Sequence, residues 1–275
     1  MCSICFANLA AASLLIGAGA PHYPRHSVDH RTILPMLFDQ TIAVIGGSSG
    51  IGFAVADAAA DAGAHVVIGS SSQSKLNKAL GQFSEKVTGL VVDVTKEESV
   101  REFFGKLGEI DHVAITVGAS YESALVADSE LFESQKPFSV KYWGQFLVAK
   151  YAGPRLSKCG SITLTSGVLS QRPVKSLAAQ ASVNAAIEAF GRTLALELAP
   201  QRVNVVSPGF IDTGKLLSHL PPTDRAYQLL QSKGADLPTR RVGQPKDAAA
   251  TYLFAMQNPY LTGQVLSVDG GSSII

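Results

Sequence analysis

The stretch "IGGSSGIG", residues 45–52, constrains this chain more than any other. An apolar run, "TIAVI", leads into it, and a helical pattern, "GIGFAVADAAAD", leaves it. Gly46, Gly50 and Gly52 let the backbone turn tightly between strand and helix and approach a ligand closely. A helix that starts there directs free N–H groups and the positive end of its dipole into the turn, which suits a pyrophosphate. Ser48, Ser49 and Ile51 complete the loop and belong to the same expected cofactor site.

From residue 40 onward, apolar runs alternate with amphipathic segments. "AHVVIGS", "VTGLVVDV", "DHVAITVG", "GSITLTSG", "RVNVVS" and "GQVLSVDGG" read as further strands. Helices are expected over "QSKLNKALGQF", over "KEESVREFFGKLG", through 137–152 and over about 178–198. The strands are continuous Val/Ile runs rather than alternating ones, as in a sheet covered on both faces. The expectation is one α/β domain with a doubly wound parallel sheet, from residue 36 to 275.

Residues 1–35 are read as an extension outside that domain. "FANLAAASLLIGAGA" lacks the length of a membrane span and the preceding Lys or Arg of a secretory signal. A targeting role is the competing reading. His22, His26 and His30 recur every four residues, but Pro21 and Pro24 break a helix there, so a linker is expected. Cys2 and Cys5 form a lone C-x-x-C without the partners a zinc site needs. No metal is expected. With three Cys in all, and only Cys159 in the main body, a reducing, cytoplasmic setting fits. A net charge of +1 gives no field that favours nucleic acid or an anionic membrane.

The end of the second strand bears on the dinucleotide. An acidic residue there holds a ribose 2′-OH and repels a 2′-phosphate. The run is "GSSSQSK", with no acid. Ser70, Ser71 and Lys75 are expected to receive the 2′-phosphate, so NADP(H) is preferred over NAD(H). Asp93, ending the third strand beside Val94, is placed to accept from an adenine amino group. A helix N-cap is the alternative role.

Together these features resemble the short-chain dehydrogenase/reductase family, from about residue 40 to 273. "IGGSSGIG" is similar to its T-G-x-x-x-G-I-G motif, with Ile45 in place of Thr. "VDV" resembles its adenine-side motif, and "SPGFIDT" its P-G-x-x-x-T. "RVGQPKDAA" and "LTGQVLSVDGG" look like its closing segments. The resemblance implies a Rossmann fold of strand order 3-2-1-4-5-6-7 and a nicotinamide flanked by Pro208, Gly209, Ile211 and Thr213. Gly118 would lie at the cofactor cleft. It also implies a homodimer or homotetramer packed through the two long helices.

The departures concentrate in the chemistry. The family's catalytic set is Asn, Ser, Tyr and Lys. Lys141 stands in the Asn slot, Gln180 in the Tyr slot and Asn184 in the Lys slot. Either Ser166 or Gly167 fills the Ser slot. N-N-A-G has become "ITVG". Gln180 donates hydrogen bonds but gives no proton near neutral pH. Lys and Asn have exchanged helices, so the ammonium has moved rather than vanished.

The leading reading is an NADP(H)-dependent oxidoreductase of a small, apolar carbonyl or alcohol. In it Lys141 is the proton donor or oxyanion stabiliser, with Ser166 and Gln180 orienting the carbonyl. Lys141 pairing with a carboxylate or covering a helix face is the plain alternative. The competing functions are a non-redox cyclase or isomerase, a silent subunit, and a dinucleotide sensor. Tyr121 is a weaker candidate for the lost phenol. Tyr142 and Trp143 are read as packing groups, and Arg240 and Arg241 as structural. The loop 212–238, with Leu216, Leu217 and Leu220, is expected to cover the substrate as an apolar lid.

Overall fold

The computed structural model describes residues 37–83, 86–118, 123–214, 228 and 232–275. All of these fall in the unit Leu34–Ile275. The extension read over residues 1–35, with its Cys and His residues, lies outside the described residues, as do Tyr121, Leu216, Leu217 and Leu220.

Seven strands form one parallel sheet: β1 (Thr41–Ile45), β2 (His65–Ser70), β3 (Val87–Val91), β4 (Ile110–Ile115), β5 (Leu156–Thr165), β6 (Arg202–Pro208) and β7 (Val265–Val268). Their order is β3-β2-β1-β4-β5-β6-β7, the doubly wound order expected. The chain reverses direction across the sheet between β1 and β4, and parallel sheets bind ligands at the carboxyl ends beside such a switch point. Ile45 registers with Gly69 on one side and Ile115 on the other, so the glycine loop leaves the sheet at that crevice.

Helices α1 (Gly50–Asp61), α2 (Gln73–Leu80) and α7 (Pro245–Gln257) cover one face. Helices α3 (Glu97–Gly105), α5 (Gly144–Ala152) and α6 (Ala178–Glu197) cover the other. Small residues let α1 lie close: Val55, Ala56 and Ala59 are fully buried beside Tyr252 of α7. On the far face Phe103, Phe104, Val148 and Ile187 fill the second core. Both faces of β1, β4 and β6 are therefore enclosed, and successive residues of those strands are buried alike.

Two elements depart from the sequence expectation. Helix α7 was not read as a helix, although Gln244, Pro245 and Asp247 supply a capping box and a proline at its start. Arg202 then closes its other end, donating to the carbonyls of Ala255 and Met256 at 2.6 Å each. The helix expected through 137–152 begins earlier, as α4 (Leu131–Pro137), and runs through a π-helical stretch, Phe138–Trp143, into α5. Such widened turns recur at functional sites.

The buried Gln145 fixes this stretch to the sheet. Its Nε2 donates to the carbonyls of Lys141 (2.8 Å) and Thr165 (2.9 Å), and its Oε1 accepts from Thr165 N (2.8 Å). Gln145→Leu removes these bonds and strands buried backbone groups. We expect a loss of about 2–4 kcal/mol of stability by urea denaturation.

Candidate active site

At the end of β1, Gly46 adopts φ +91°, and its N–H donates to Gly69 O at 2.9 Å. Gly50 adopts φ +57°. A Cβ on Gly52 would lie 2.3 Å from Thr116 Oγ1 and 2.4 Å from Gly46 O, so no side chain fits. Ser49 caps α1 in an extended conformation, its side chain makes no cap bond, and the first turn holds no acid. The positive end of α1 therefore faces the crevice with its first N–H groups free for an anion. Thr213 reaches over from the loop after β6: a Cβ on Gly50 would meet its side chain at 3.1 Å. This cradle fits a dinucleotide pyrophosphate.

Around the loop, Ser48 and Ser70 share a hydroxyl hydrogen bond of 2.9 Å. Ser70 is buried, whereas Ser71 and Lys75 are exposed at the start of α2. Ser72 is occupied, capping α2 by accepting from Lys75 N. Asp93 is not the N-cap of α3, which is Lys96. Its carboxylate accepts from Thr95 N (3.0 Å) and Thr95 Oγ1 (2.7 Å), and the Thr95 hydroxyl is the main reason its pKa is lowered. Val94 is buried against Gly144. Gly118 stands open just beyond β4, with nothing within 4 Å of an added Cβ. On the opposite wall, Pro208 ends β6, Gly209 packs on Asp269, and the buried Ile211 bridges to Gly243.

Three of the four candidate residues meet. Lys141 Nζ donates to Ser166 O at 2.7 Å and to Asn184 Oδ1 at 2.6 Å. Burial lowers its ammonium from the ordinary 10.5 to about 8, while the charge of Glu188 pulls the other way. Ser166, rather than Gly167, brings a hydroxyl to the serine slot. That hydroxyl donates to Glu188 Oε1 at 3.1 Å. Ser170 Oγ donates to the same oxygen at 2.5 Å. Gln180 is buried one turn before Asn184, and no hydrogen bond of its side chain is found among the described residues.

Glu188 was missed by the sequence reading. The signal was present: Gln180, Asn184 and Glu188 are four apart and share one face of α6. An acid that continues the row of Gln180 and Asn184 toward the sheet implies buried partners.

The other candidates keep structural roles. Tyr142, Trp143, Phe146 and Phe190 form an aromatic cluster on α5, α6 and the π-helical stretch. Arg241 forms a two-point ion pair with Asp247, and Arg240 donates to Ala235 O at 2.7 Å. Among the described residues, no three His, Cys, Asp or Glu cluster as a metal site, and no helix is long and apolar enough to cross a membrane.

A family model described as enoyl-(acyl carrier protein) reductase matches residues 45–273. A short-chain dehydrogenase/reductase of an Acremonium species, ucsE, is 36% identical over 252 residues, 85% of this chain and 95% of that protein. The chain belongs to the short-chain dehydrogenase/reductase family. A second family member, ATR9 of Stachybotrys chlorohalonatus, is 32% identical and covered over 99% of its length. Among solved structures, a small-chain dehydrogenase in complex with NADPH is 35% identical with a TM-score of 0.72, covering 86% of this chain and all of that one. The reductase/Diels-Alderase MalC of Malbranchea aurantiaca reaches a TM-score of 0.80 at 28% identity, over 87% of this chain and 98% of its own.

The glycine cradle yields a direct test of packing. Gly52→Ala forces Thr116 and Gly46 apart and is expected to cost about 1–3 kcal/mol. Gly105→Ala, where an added Cβ meets nothing within 4 Å, is expected to gain about 0.5–1 kcal/mol. Thermal denaturation of the two variants checks both signs.

Proposed function

We propose that this family member is an NADP(H)-dependent oxidoreductase that interconverts a small carbonyl and its alcohol, with Lys141 in place of the usual tyrosine as proton donor. The observation that carries this reading is the Lys141 ammonium held between Ser166 O and Asn184 Oδ1. An ammonium has three N–H donors. Two are occupied, and the third is left for a substrate oxygen.

When bound, the dinucleotide supplies or accepts the hydride at the carbonyl carbon. The glycine loop and Thr213 grip its phosphates. Ser71 and Lys75, exposed where no acid stands, receive the 2′-phosphate, with Ser70 bonded to Ser48 behind them. In place of an acid that a Tyr–Lys pair would supply, Gln180 offers its amide N–H to the carbonyl oxygen. Ser166 spends its hydroxyl hydrogen on Glu188, so it holds the site together rather than pointing at the substrate. As negative charge grows on the oxygen, Lys141 stabilises it and passes one proton to it, becoming a neutral amine that regains a proton from solvent. In alcohol oxidation the neutral amine takes that proton.

The sign of the pH dependence follows. Below about 8 Lys141 is an ammonium, and above it an amine. Reduction falls as pH rises through that value, and oxidation rises. Lys141→Met is expected to lower the rate by roughly 10²–10⁴ and to remove this limb. The test is NADPH consumption against a panel of small ketones and aldehydes from pH 6 to about 10. Unchanged turnover in Lys141→Met contradicts the assignment. Lys75→Glu is expected to weaken NADPH binding selectively, bringing its affinity towards that of NADH in calorimetric titration.

Two observations favour a second reading: Gln180 cannot give a proton, and a structural neighbour, MalC, is a reductase/Diels-Alderase. A non-redox enzyme on the same frame would form product without consuming NADPH. The exposed Trp143 and the half-exposed Phe146 lie beside a groove lined by Phe190, Leu194 and Leu198. This face of α5 and α6 supports pairing of subunits through the two helices.

A further inference from the structure

A cavity of about 330 Å³ is walled in part by Val168 and Leu169, in the turn two and three residues after Ser166. Pro173, Phe210 and Leu237 make most of the remaining surface apolar. The size is that of a small-molecule site.

Three charged side chains of described residues, Arg172, Lys233 and Asp236, break the apolar lining, and of these only Arg172 is half-buried. The only hydrogen bond of the Arg172 side chain among the described residues runs from Nη1 to Ser272 Oγ at 3.2 Å. A guanidinium has five donors, so four remain. No carboxylate of a described residue pairs with it. Lys233 and Asp236 also border the cavity, but both are exposed and opposite in sign, so neither sets its charge. Half-buried arginines are ordinarily matched by an acid, because a desolvated charge is costly unless paired. This one faces the cavity unmatched.

We propose that the cavity receives the body of the substrate and that Arg172 selects one with a carboxylate on a short apolar frame. The inference rests on the proposed carbonyl site only for where the reacting end lies. The planar guanidinium fork matches the two oxygens of a carboxylate. A single guanidinium balances a single negative charge. A phosphate dianion would leave one charge uncompensated against Val168, Leu169 and Pro173.

The test is calorimetric titration of the full chain with 3-phenylpropanoate, 3-phenylpropanamide and 2-phenylethyl phosphate, each with and without saturating NADPH. The carboxylate is expected to bind about tenfold or more tightly than the amide, and more tightly than the phosphate. Arg172→Gln erases the preference for carboxylate over amide. Arg172→Lys, which keeps the charge, retains it. Equal binding of carboxylate and amide to the unaltered protein overturns the proposal, whether or not the glutamine variant folds. A preference that survives Arg172→Gln, or tighter phosphate binding, does so too. Carboxylate selectivity without NADPH turnover would fail the redox reading and leave this one standing. NADPH turnover without carboxylate selectivity would do the reverse.

Discussion

Between the carbonyl of Ser166 and the amide oxygen of Asn184, the Lys141 ammonium joins three elements of the site. Ser166 follows β5, Asn184 stands on α6, and Lys141 comes from the π-helical stretch ahead of α5. A lysine placed among these groups is desolvated, and two protein oxygens stand in for those its ammonium has lost from water. Glu188 adds the balancing charge from one turn further along α6, through Ser166 and Ser170. Lys141 thus brings a cation to the carbonyl of Ser166 and the side chain of Asn184.

The rest of the fold serves that placement. Gln145 ties the π-helical stretch to Thr165 at the end of β5, so the backbone that carries Lys141 is fixed against the strand that carries Ser166. Thr165 in turn bonds to Ile115 O and the Tyr252 hydroxyl, linking β4, β5 and α7. The glycine loop exits at the same sheet edge, where β1 lies beside β4. Cofactor cradle and chemical residues are therefore held by one buried hydrogen-bonded frame, and the cavity at Arg172 opens from the turn that follows it.

Much of this was legible in the sequence because it depends on local rules. Continuous apolar strands and their alternation with helices point to a parallel sheet, and the glycines in the first turn to the phosphate loop, whereas the strand order came with the family resemblance. Lys141, Ser166, Gln180 and Asn184 could be named because they occupy the slots of a known pattern. What was not legible depends on contacts far apart in the chain. Glu188 looks like any helical acid until α6 is seen to turn it inward. The direction of the Ser166 hydroxyl follows from Glu188 and so was missed with it. The widened turn at 138–143 leaves no periodic signature, since Pro137 reads as a helix start rather than an interior residue. Arg172 lies in an irregular turn, where sequence gives no measure of burial.

The most direct measurement is the ionisation of Lys141 itself. In protein labelled with ¹³C at the lysine ε-carbons, the Lys141 resonance is assigned by its absence in Lys141→Met and followed by NMR as pH is raised. The account predicts a midpoint near 8, well below the ordinary 10.5. A midpoint at the ordinary value near 10.5 would show a solvated ammonium and contradict the claim that Lys141 supplies the proton.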